Sequence, residues 1–223
     1  LLSATKIHFG AGQLNELGHV CRGYGKTCFL VTTPDAPLQP LYERVKKLLD
    51  AEGISVIHFD KVEPSKCGNR RTGICHAEGA ACRFVLAVGG GSYGLTQQRR
   101  LHLRMVKSRL TGIICLTNTA HRLHIILPTV KKHLPLLSVP TTSGTGSQVT
   151  QAAVITRGKE KITFFHPDNF SQETILDPQL MLTLPKRMSA ATGFDAFTHA
   201  FESYINANAS PYSAMDPWRQ CDW

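Results

Sequence analysis

An aspartate and a histidine, Asp195 and His199, lie four residues apart within the segment GFDAFTHAFE. If this segment is helical, that spacing places both side chains on one face of the helix. One carboxylate oxygen and one imidazole nitrogen suit a divalent metal such as iron or zinc. An isolated pair of this kind more often forms a simple hydrogen bond, and a metal needs three or four protein ligands. His166 and Glu202 are the candidate additional ligands.

A run of three glycines and a serine, Gly89–Ser92, follows the apolar stretch Phe84–Val88. Glycines after a buried strand allow the backbone to approach a ligand closely. Backbone N–H groups in such a loop, together with the start of a following helix, can bind a pyrophosphate. The run is equally compatible with a tight turn between a strand and a helix, because glycine motifs match by chance often.

A second loop, Pro140–Gln148 (PTTSGTGSQ), is rich in hydroxyl groups and follows the apolar stretch Leu136–Val139. Its hydroxyl residues are Thr141, Thr142, Ser143, Thr145 and Ser147. Such a loop suits phosphate and ribose, although many polar surface loops have no ligand. Ligands of open α/β sheets bind where strands end, so two such loops in one chain favour a nucleotide site.

The elements that would position these residues alternate between strand and helix. Short apolar runs predict buried parallel strands, and the apolar spacing of Leu41–Glu52 predicts an amphipathic helix with Leu41, Val45, Leu48 and Leu49 on one face. The predicted strands are Thr27–Thr33, Ile54–Phe59, Phe84–Val88 and Leu136–Val139. Strand, helix and strand in this order predict an α/β fold with a parallel sheet.

The pattern changes to helix towards the end of the chain, where Ser189–Asn206 is predicted to form one long helix. We therefore expect a domain boundary near Leu184–Arg187. Residues 1–185 would form the α/β domain, and residues 186–223 would begin a helical domain. Within the first domain, residues 66–83 and 93–133 are anomalous in composition and give no coherent prediction.

The composition is that of an ordinary globular protein, with 42% hydrophobic and 18% charged residues in a chain of 223. No apolar run approaches the roughly 18 residues of a membrane span, so no membrane partner is expected. Seven cysteines without CxxC spacing favour a reducing, cytoplasmic setting over a disulfide framework.

The formal net charge of +9 is concentrated in Lys66–His133, which has 12 Lys and Arg against one acid. The rest of the chain has 13 Lys and Arg against 15 acids. A basic nucleic-acid-binding module in Arg99–Lys132 is the least favoured alternative, because this stretch lacks interleaved aromatic residues. We therefore expect no nucleic-acid partner.

Several segments together resemble the iron-containing alcohol dehydrogenase family, in the order in which that family has them. They are FVLAVGGGS, LPLLSVPTTSGTGSQVTQAAVIT, ILDPQLMLTLP and AATGFDAFTHAFESYINANASPYS. The resemblance implies a Rossmann-like nucleotide-binding domain with a parallel sheet, followed by an all-helical metal-binding domain. It implies hydride transfer between a small alcohol or aldehyde and NAD or NADP, assisted by Fe²⁺ or Zn²⁺, in a homo-oligomeric parent enzyme.

The resemblance also assigns roles to individual residues. It implies Gly89, Gly90, Gly91 and Ser92 around the cofactor pyrophosphate. It implies Thr141, Thr142 and Ser147 near phosphate, ribose and nicotinamide, with Lys161 as a weaker candidate. It implies Asp195 and His199 as the first two metal ligands. The choice between NAD and NADP stays open, because the carboxylate nearest the Thr27–Val31 run is Asp35, beyond the expected position.

The chain departs from the family pattern in two places. The family continues GGGS as GGGSxxDxAK, whereas this chain reads GGGSYGLTQQRR, and it ends at Trp223 before the family's remaining metal-ligating histidines. We hypothesise that frameshifts in the gene caused the first departure, because one codon choice for Tyr93–His102 restores DxAK in another frame. On this hypothesis the chain is a truncated, frameshifted member whose own activity is doubtful. A non-catalytic nucleotide-binding remnant is the alternative.

Overall fold

The computed structural model of the chain describes residues 5–60, 82–91, 134–157, 160–165, 169–207 and 209. Within these residues the strands are β1 (Lys6–Phe9), β2 (Thr27–Val31), β3 (Ser55–Phe59), β4 (Phe84–Gly89), β5 (Leu136–Pro140), β6 (Ala152–Arg157), β7 (Glu160–Phe165) and β8 (Glu173–Leu176). The α-helices are α1 (Leu17–Arg22), α2 (Gln39–Ala51) and α3 (Lys186–Ile205). The anomalous segments 66–83 and 93–133 lie outside the described residues except for residues 82 and 83.

Six strands form one sheet in the order β1-β8-β5-β4-β2-β3, and every neighbouring pair in it is parallel. The remaining two strands, β6 and β7, pair with each other as an antiparallel hairpin. The parallel sheet with helices confirms the predicted α/β fold class. No described helix is both long and apolar enough to span a bilayer.

The direction in which the chain crosses the sheet reverses between β2 and β4. From β2 the chain passes to its outer neighbour β3, and it then crosses back to β4 and continues through β5 to β8. A reversal of this kind leaves a crevice at the carboxyl ends of the two strands, and ligands of open α/β sheets bind there. The glycine run therefore begins at the switch point of the sheet, which the sequence alone did not reveal.

The central strands are buried on both faces, which explains their continuous apolar sequences. Residues of β4 alternate between two apolar clusters, as successive side chains of a strand must. Leu86 and Val88 pack on the side of α1 and α2, whereas Val85 and Ala87 pack on the opposite side with Phe29 of β2. The core is therefore built around β2, β4 and β5.

Helix α2 begins two residues earlier and ends one residue earlier than predicted. Its buried residues are Tyr42, Val45 and Leu49, whose spacing of three and four places them on one face. Tyr42 was not among the residues predicted for this face, although its side chain is fully buried. The helix stops before Gly53, which has a positive φ of 68° that favours glycine.

Strands β1 and β8 were missed because each has only four residues and mixed polarity. They pair with each other although they lie far apart in sequence, with Lys6 opposite Glu173. Glu173 Oε2 is 2.6 Å from His8 Nε2, and Tyr24 Oη donates to Glu173 Oε1 at 2.9 Å. Burial alone would raise the pKa of Glu173, but its hydrogen bonds to His8 and Tyr24 and the charge of Lys6 lower it below 4.5.

Because the pKa of Glu173 is lower in the folded state, its ionised form stabilises the fold, and this contribution is lost as pH falls. It is fully present above the unfolded value of about 4.5 and disappears as pH passes through the lower folded value. Glu173→Gln should therefore flatten the decline in unfolding free energy below pH 4.5, measured by urea denaturation. Exposed Glu16 offers the control, and Glu16→Gln should keep the wild-type slope. Equal slopes for the two variants would contradict the assignment.

The buried carboxylate of Asp177 connects the segment after β1 to the segment after β8. Its oxygens accept hydrogen bonds from the backbone N–H groups of Gly12 and Leu14 at 3.1 Å and of Gln179 at 3.0 Å. One side chain thereby caps two short 3₁₀ helices, Gln13–Glu16 and Pro178–Met181, that lie far apart in sequence.

Asp177→Ala should lower the free energy of unfolding by about 3 kcal/mol, because it leaves three backbone donors without their carboxylate partner. Chemical denaturation followed by circular dichroism measures the change. Asp50 is exposed on α2, and Asp50→Ala should change the same quantity by less than about 0.5 kcal/mol. If Asp177→Ala lowers the free energy of unfolding no more than Asp50→Ala does, the hydrogen bonds of Asp177 do not stabilise the fold.

Candidate nucleotide and metal site

The two loops proposed from the sequence meet at the carboxyl edge of the sheet. Strands β4 and β5 pair in a register that sets Gly89 opposite Pro140, so the loops leave the sheet at the same level. Thr141 N donates to the carbonyl oxygen of Gly89 at 3.1 Å, and Gly91 N donates to Thr142 Oγ1 at 3.2 Å. The structure thus brings the glycine run and the hydroxyl loop into direct contact. Ser92 lies outside the described residues.

Glycine is required in this contact for steric reasons. A Cβ atom on Gly91 would overlap Thr145 Oγ1, and a Cβ on Gly90 would lie 3.1 Å from Thr142 Cγ2. The absence of side chains therefore lets the two loops pack closely, in addition to any room they leave for a ligand. This close packing supports the alternative interpretation of the glycine run as a tight structural turn, at least for Gly90 and Gly91.

Within the hydroxyl loop, the side chains differ in exposure. Thr141 and Ser147 are buried, whereas Thr142, Ser143 and Thr145 are partly exposed. Thr145 Oγ1 donates to Ser147 Oγ at 3.3 Å, within the second half of the loop. The loop therefore presents hydroxyl groups at the switch-point edge with much of its own conformation fixed by internal contacts.

Helix α3 spans Lys186–Ile205, so the predicted helix began three residues too late. It places partly exposed Asp195 and exposed His199 on one face, as their spacing predicts. His199 Nδ1 lies 3.0 Å from the carbonyl oxygen of Gly144. A Cβ on Gly144 would lie 2.8 Å from Asp195 Oδ2, so the hydroxyl loop approaches both candidate metal ligands. The hydroxyl loop and the two candidate metal ligands are therefore adjacent.

The donor set supplies half of a metal site. A carboxylate and an imidazole suit iron or zinc, but no group of three or more His, Cys, Asp and Glu suited to a metal occurs among the residues that the structure describes. Glu202 is exposed on the same helix and does not complete such a group, and His166 lies outside the described residues. Asp195 and His199 thus fit a metal only together with ligands from elsewhere.

The hairpin carries the remaining predicted residue. The backbone of Lys161 lies on β7 and pairs with Thr156 of β6. The hairpin is not part of the main sheet. The position of the Lys161 side chain is outside what the structure describes, so its role near the cofactor stays a prediction.

Sequence reasoning missed a polar network on the other side of the switch point, at the end of β2. Thr33 Oγ1 and Tyr42 Oη share a hydrogen bond of 2.9 Å, and Thr32 Oγ1 shares one of 2.8 Å with His58 Nε2. Burial, and then the charge of Lys46, lower the pKa of His58, which favours the neutral ring. The sequence feature that could have indicated this network is the pair Thr32 and Thr33, which directly follows the buried strand β2.

Helix α3 also exposes a ladder of aromatic rings. Phe194, Phe197 and Phe201 stack in sequence along the helix, with centroid separations of 5.9 and 6.1 Å. Their exposed fractions are 66%, 46% and 47%, which is unusual for large apolar side chains. Helix α3 therefore exposes apolar rings in addition to the polar side chains that meet the hydroxyl loop.

An open parallel sheet with a glycine-rich loop at its switch point defines an α/β protein of the Rossmann-like class. The model of the family described as "Iron-containing alcohol dehydrogenase" matches residues 4–178. The chain belongs to the iron-containing alcohol dehydrogenase family.

Individual relatives agree with this assignment. The chain is 33% identical over 208 residues to long-chain-alcohol dehydrogenase 1 of Geobacillus thermodenitrificans (strain NG80-2), covering 92% of this chain and 51% of the relative. It is 34% identical over 220 residues to 1,3-propanediol dehydrogenase of Citrobacter freundii, covering 91% and 51%. The crystal structure of a 1,3-propanediol oxidoreductase matches with a TM-score of 0.79 at 30% identity, over 93% of this chain and 53% of that one. The chain thus spans about half the length of these relatives.

Gly91→Ala should destabilise the protein by about 2 kcal/mol, because the added methyl group must displace Thr145 and separate the two loops. Thermal unfolding measures this change. The matched control is Gly23→Ala, since a Cβ there has its nearest neighbour at 4.0 Å. The control should be neutral or slightly stabilising. Equal melting temperatures for the two variants would show that the loop contact is not tight.

Proposed function

We propose that this chain carries the nucleotide-binding part of an NAD(P)-dependent, metal-assisted alcohol dehydrogenase. The observation that supports this most strongly is the meeting of three features at one edge. The glycine run lies at the switch point, the hydroxyl loop contacts it, and the same loop reaches Asp195 and His199. A dinucleotide in the crevice would then extend towards the metal-binding pair.

The chain's own residues would bind and orient the reactants. The glycines of 89–91 would lie around the pyrophosphate, and the hydroxyl groups of Thr141, Thr142 and Ser147 would bind phosphate and ribose and orient the nicotinamide. Asp195 and His199 would bind iron or zinc on the adjacent face of α3. When bound, the metal supplies Lewis acidity towards an alcohol oxygen, and nicotinamide supplies the hydride acceptor.

The substrate class is a small alcohol or the corresponding aldehyde. The support is the family together with the relative named 1,3-propanediol dehydrogenase, whereas the relative named long-chain-alcohol dehydrogenase 1 supports the alcohol group but not the small size. The described residues contain only two of the three or four ligands that a protein metal site requires. We therefore expect alcohol oxidation by this chain alone to be negligible, with nucleotide binding as the retained activity.

A titration of NADH into the full 223-residue chain, followed by nicotinamide fluorescence, tests the proposal. We expect saturable binding that Gly91→Ala weakens at least tenfold, about 1.4 kcal/mol, because the loops no longer pack, while Gly23→Ala binds as the wild type. Added Zn²⁺ should change the affinity for NADH, because the hydroxyl loop contacts both sites.

The outcomes separate the candidate functions. No binding of NADH by the folded wild-type chain would overturn the proposal. Binding that Zn²⁺ does not affect would favour the second candidate, a non-catalytic nucleotide-binding remnant, which the small number of metal-ligating residues in the described part of the chain supports. Robust oxidation of primary alcohols by the purified chain would contradict the expectation that two ligands are insufficient.

A further inference from the structure

We propose that Gly144 is a positioning residue, whose carbonyl oxygen fixes the tautomer of His199 and whose missing side chain lets the hydroxyl loop pack against α3. The inference rests on the proposed function in one respect, namely that His199 is a metal ligand. Its structural basis is the 3.0 Å contact between His199 Nδ1 and the Gly144 carbonyl oxygen.

A carbonyl oxygen can only accept a hydrogen bond, so the ring nitrogen that contacts it must carry the proton. Neutral His199 is therefore held with its proton on Nδ1, and the lone pair of Nε2 is left for a ligand. A histidine in water prefers the opposite tautomer, with the proton on Nε2. The contact with Gly144 thus selects the form in which Nε2 can bind a metal.

Only glycine fits at position 144. Its φ of +91° lies in the region that other residues rarely adopt. A Cβ atom there would lie 2.5 Å from the carbonyl oxygen of Thr192 and 2.8 Å from Asp195 Oδ2. Any side chain would push the loop away from α3, and the carbonyl oxygen would then lose His199.

A second contact holds the loop on the same face of the helix. Ser143 Oγ donates to Thr192 Oγ1 at 3.1 Å. Thr192, Asp195 and His199 follow one another at spacings of three and four, so the loop lies along a single stripe of α3. Because hydrogen-bonded partners of ligating histidines orient the ring and raise its basicity, a change in this loop should alter metal affinity.

The tautomer of His199 can be observed without activity, by two-dimensional ¹H–¹⁵N spectroscopy of the full chain at a pH where histidine is neutral. His199→Asn identifies the signal by its disappearance. We expect the Nδ1–H form to predominate in the wild type and to lose that predominance in Gly144→Ala. A titration with Co²⁺ can be followed by paramagnetic broadening of the same signal. The dissociation constant for Co²⁺ should be about tenfold larger in Gly144→Ala than in the wild type.

The matched control is Gly146→Ala on the same loop. Gly146 also has a positive φ, +54°, but no atom lies within 4 Å of the position that an alanine methyl group would take, so this variant carries backbone strain without the collision. It should keep the wild-type tautomer. Ser143→Ala serves where Gly144→Ala does not fold, because it removes only the hydrogen bond to Thr192 and should shift the tautomer in the same direction.

The results distinguish this inference from the proposed function. An Nε2–H tautomer in the wild type, or a tautomer unchanged in both Gly144→Ala and Ser143→Ala, would overturn the positioning role. If the tautomer behaves as expected but Co²⁺ never broadens the His199 signal, the positioning contact stands and the metal-binding role of the proposed function fails.

Discussion

The register between β4 and β5 is the constraint on which the rest of the candidate site depends. Because Gly89 lies opposite Pro140, both strands end at one level and the loops that follow must share the same space. They can do so only where side chains are absent, which is why Gly91 accommodates Thr145 and Gly144 accommodates α3. The short side chains of these loops are therefore a packing requirement first. We propose nucleotide binding in addition, because ligands of open α/β sheets bind where the strands end at a switch point.

Much of the fold was predictable because the central strands are buried on both faces. Continuous apolar sequences such as Phe84–Val88 identified them without any knowledge of their partners, and the glycine run marked where β4 ends. The spacing of Asp195 and His199 likewise depends only on helical geometry, so their shared face was predictable. The identity of the family followed from the same segments, and the family match confirms it.

Long-range contacts could not be predicted, since nothing local encodes them. Strand β1 pairs with β8 across more than half of the chain, and its alternation of polar and apolar residues covers only four positions, too few to identify a strand. The contact of His199 with Gly144 joins residues whose order along the chain gives no indication of proximity. Tyr42 was missed for another reason, because its buried hydroxyl group is satisfied by Thr33, a residue on a different element.

Central to the proposed function is the binding of a dinucleotide at the edge where the glycine run and the hydroxyl loop meet. Hydrogen–deuterium exchange of the full chain with and without NADH tests this most directly, because exchange reports protection by segment. We expect protection concentrated in peptides that contain residues 89–91 and 141–147. Protection that spares both loops and appears elsewhere, at saturating NADH, would contradict it.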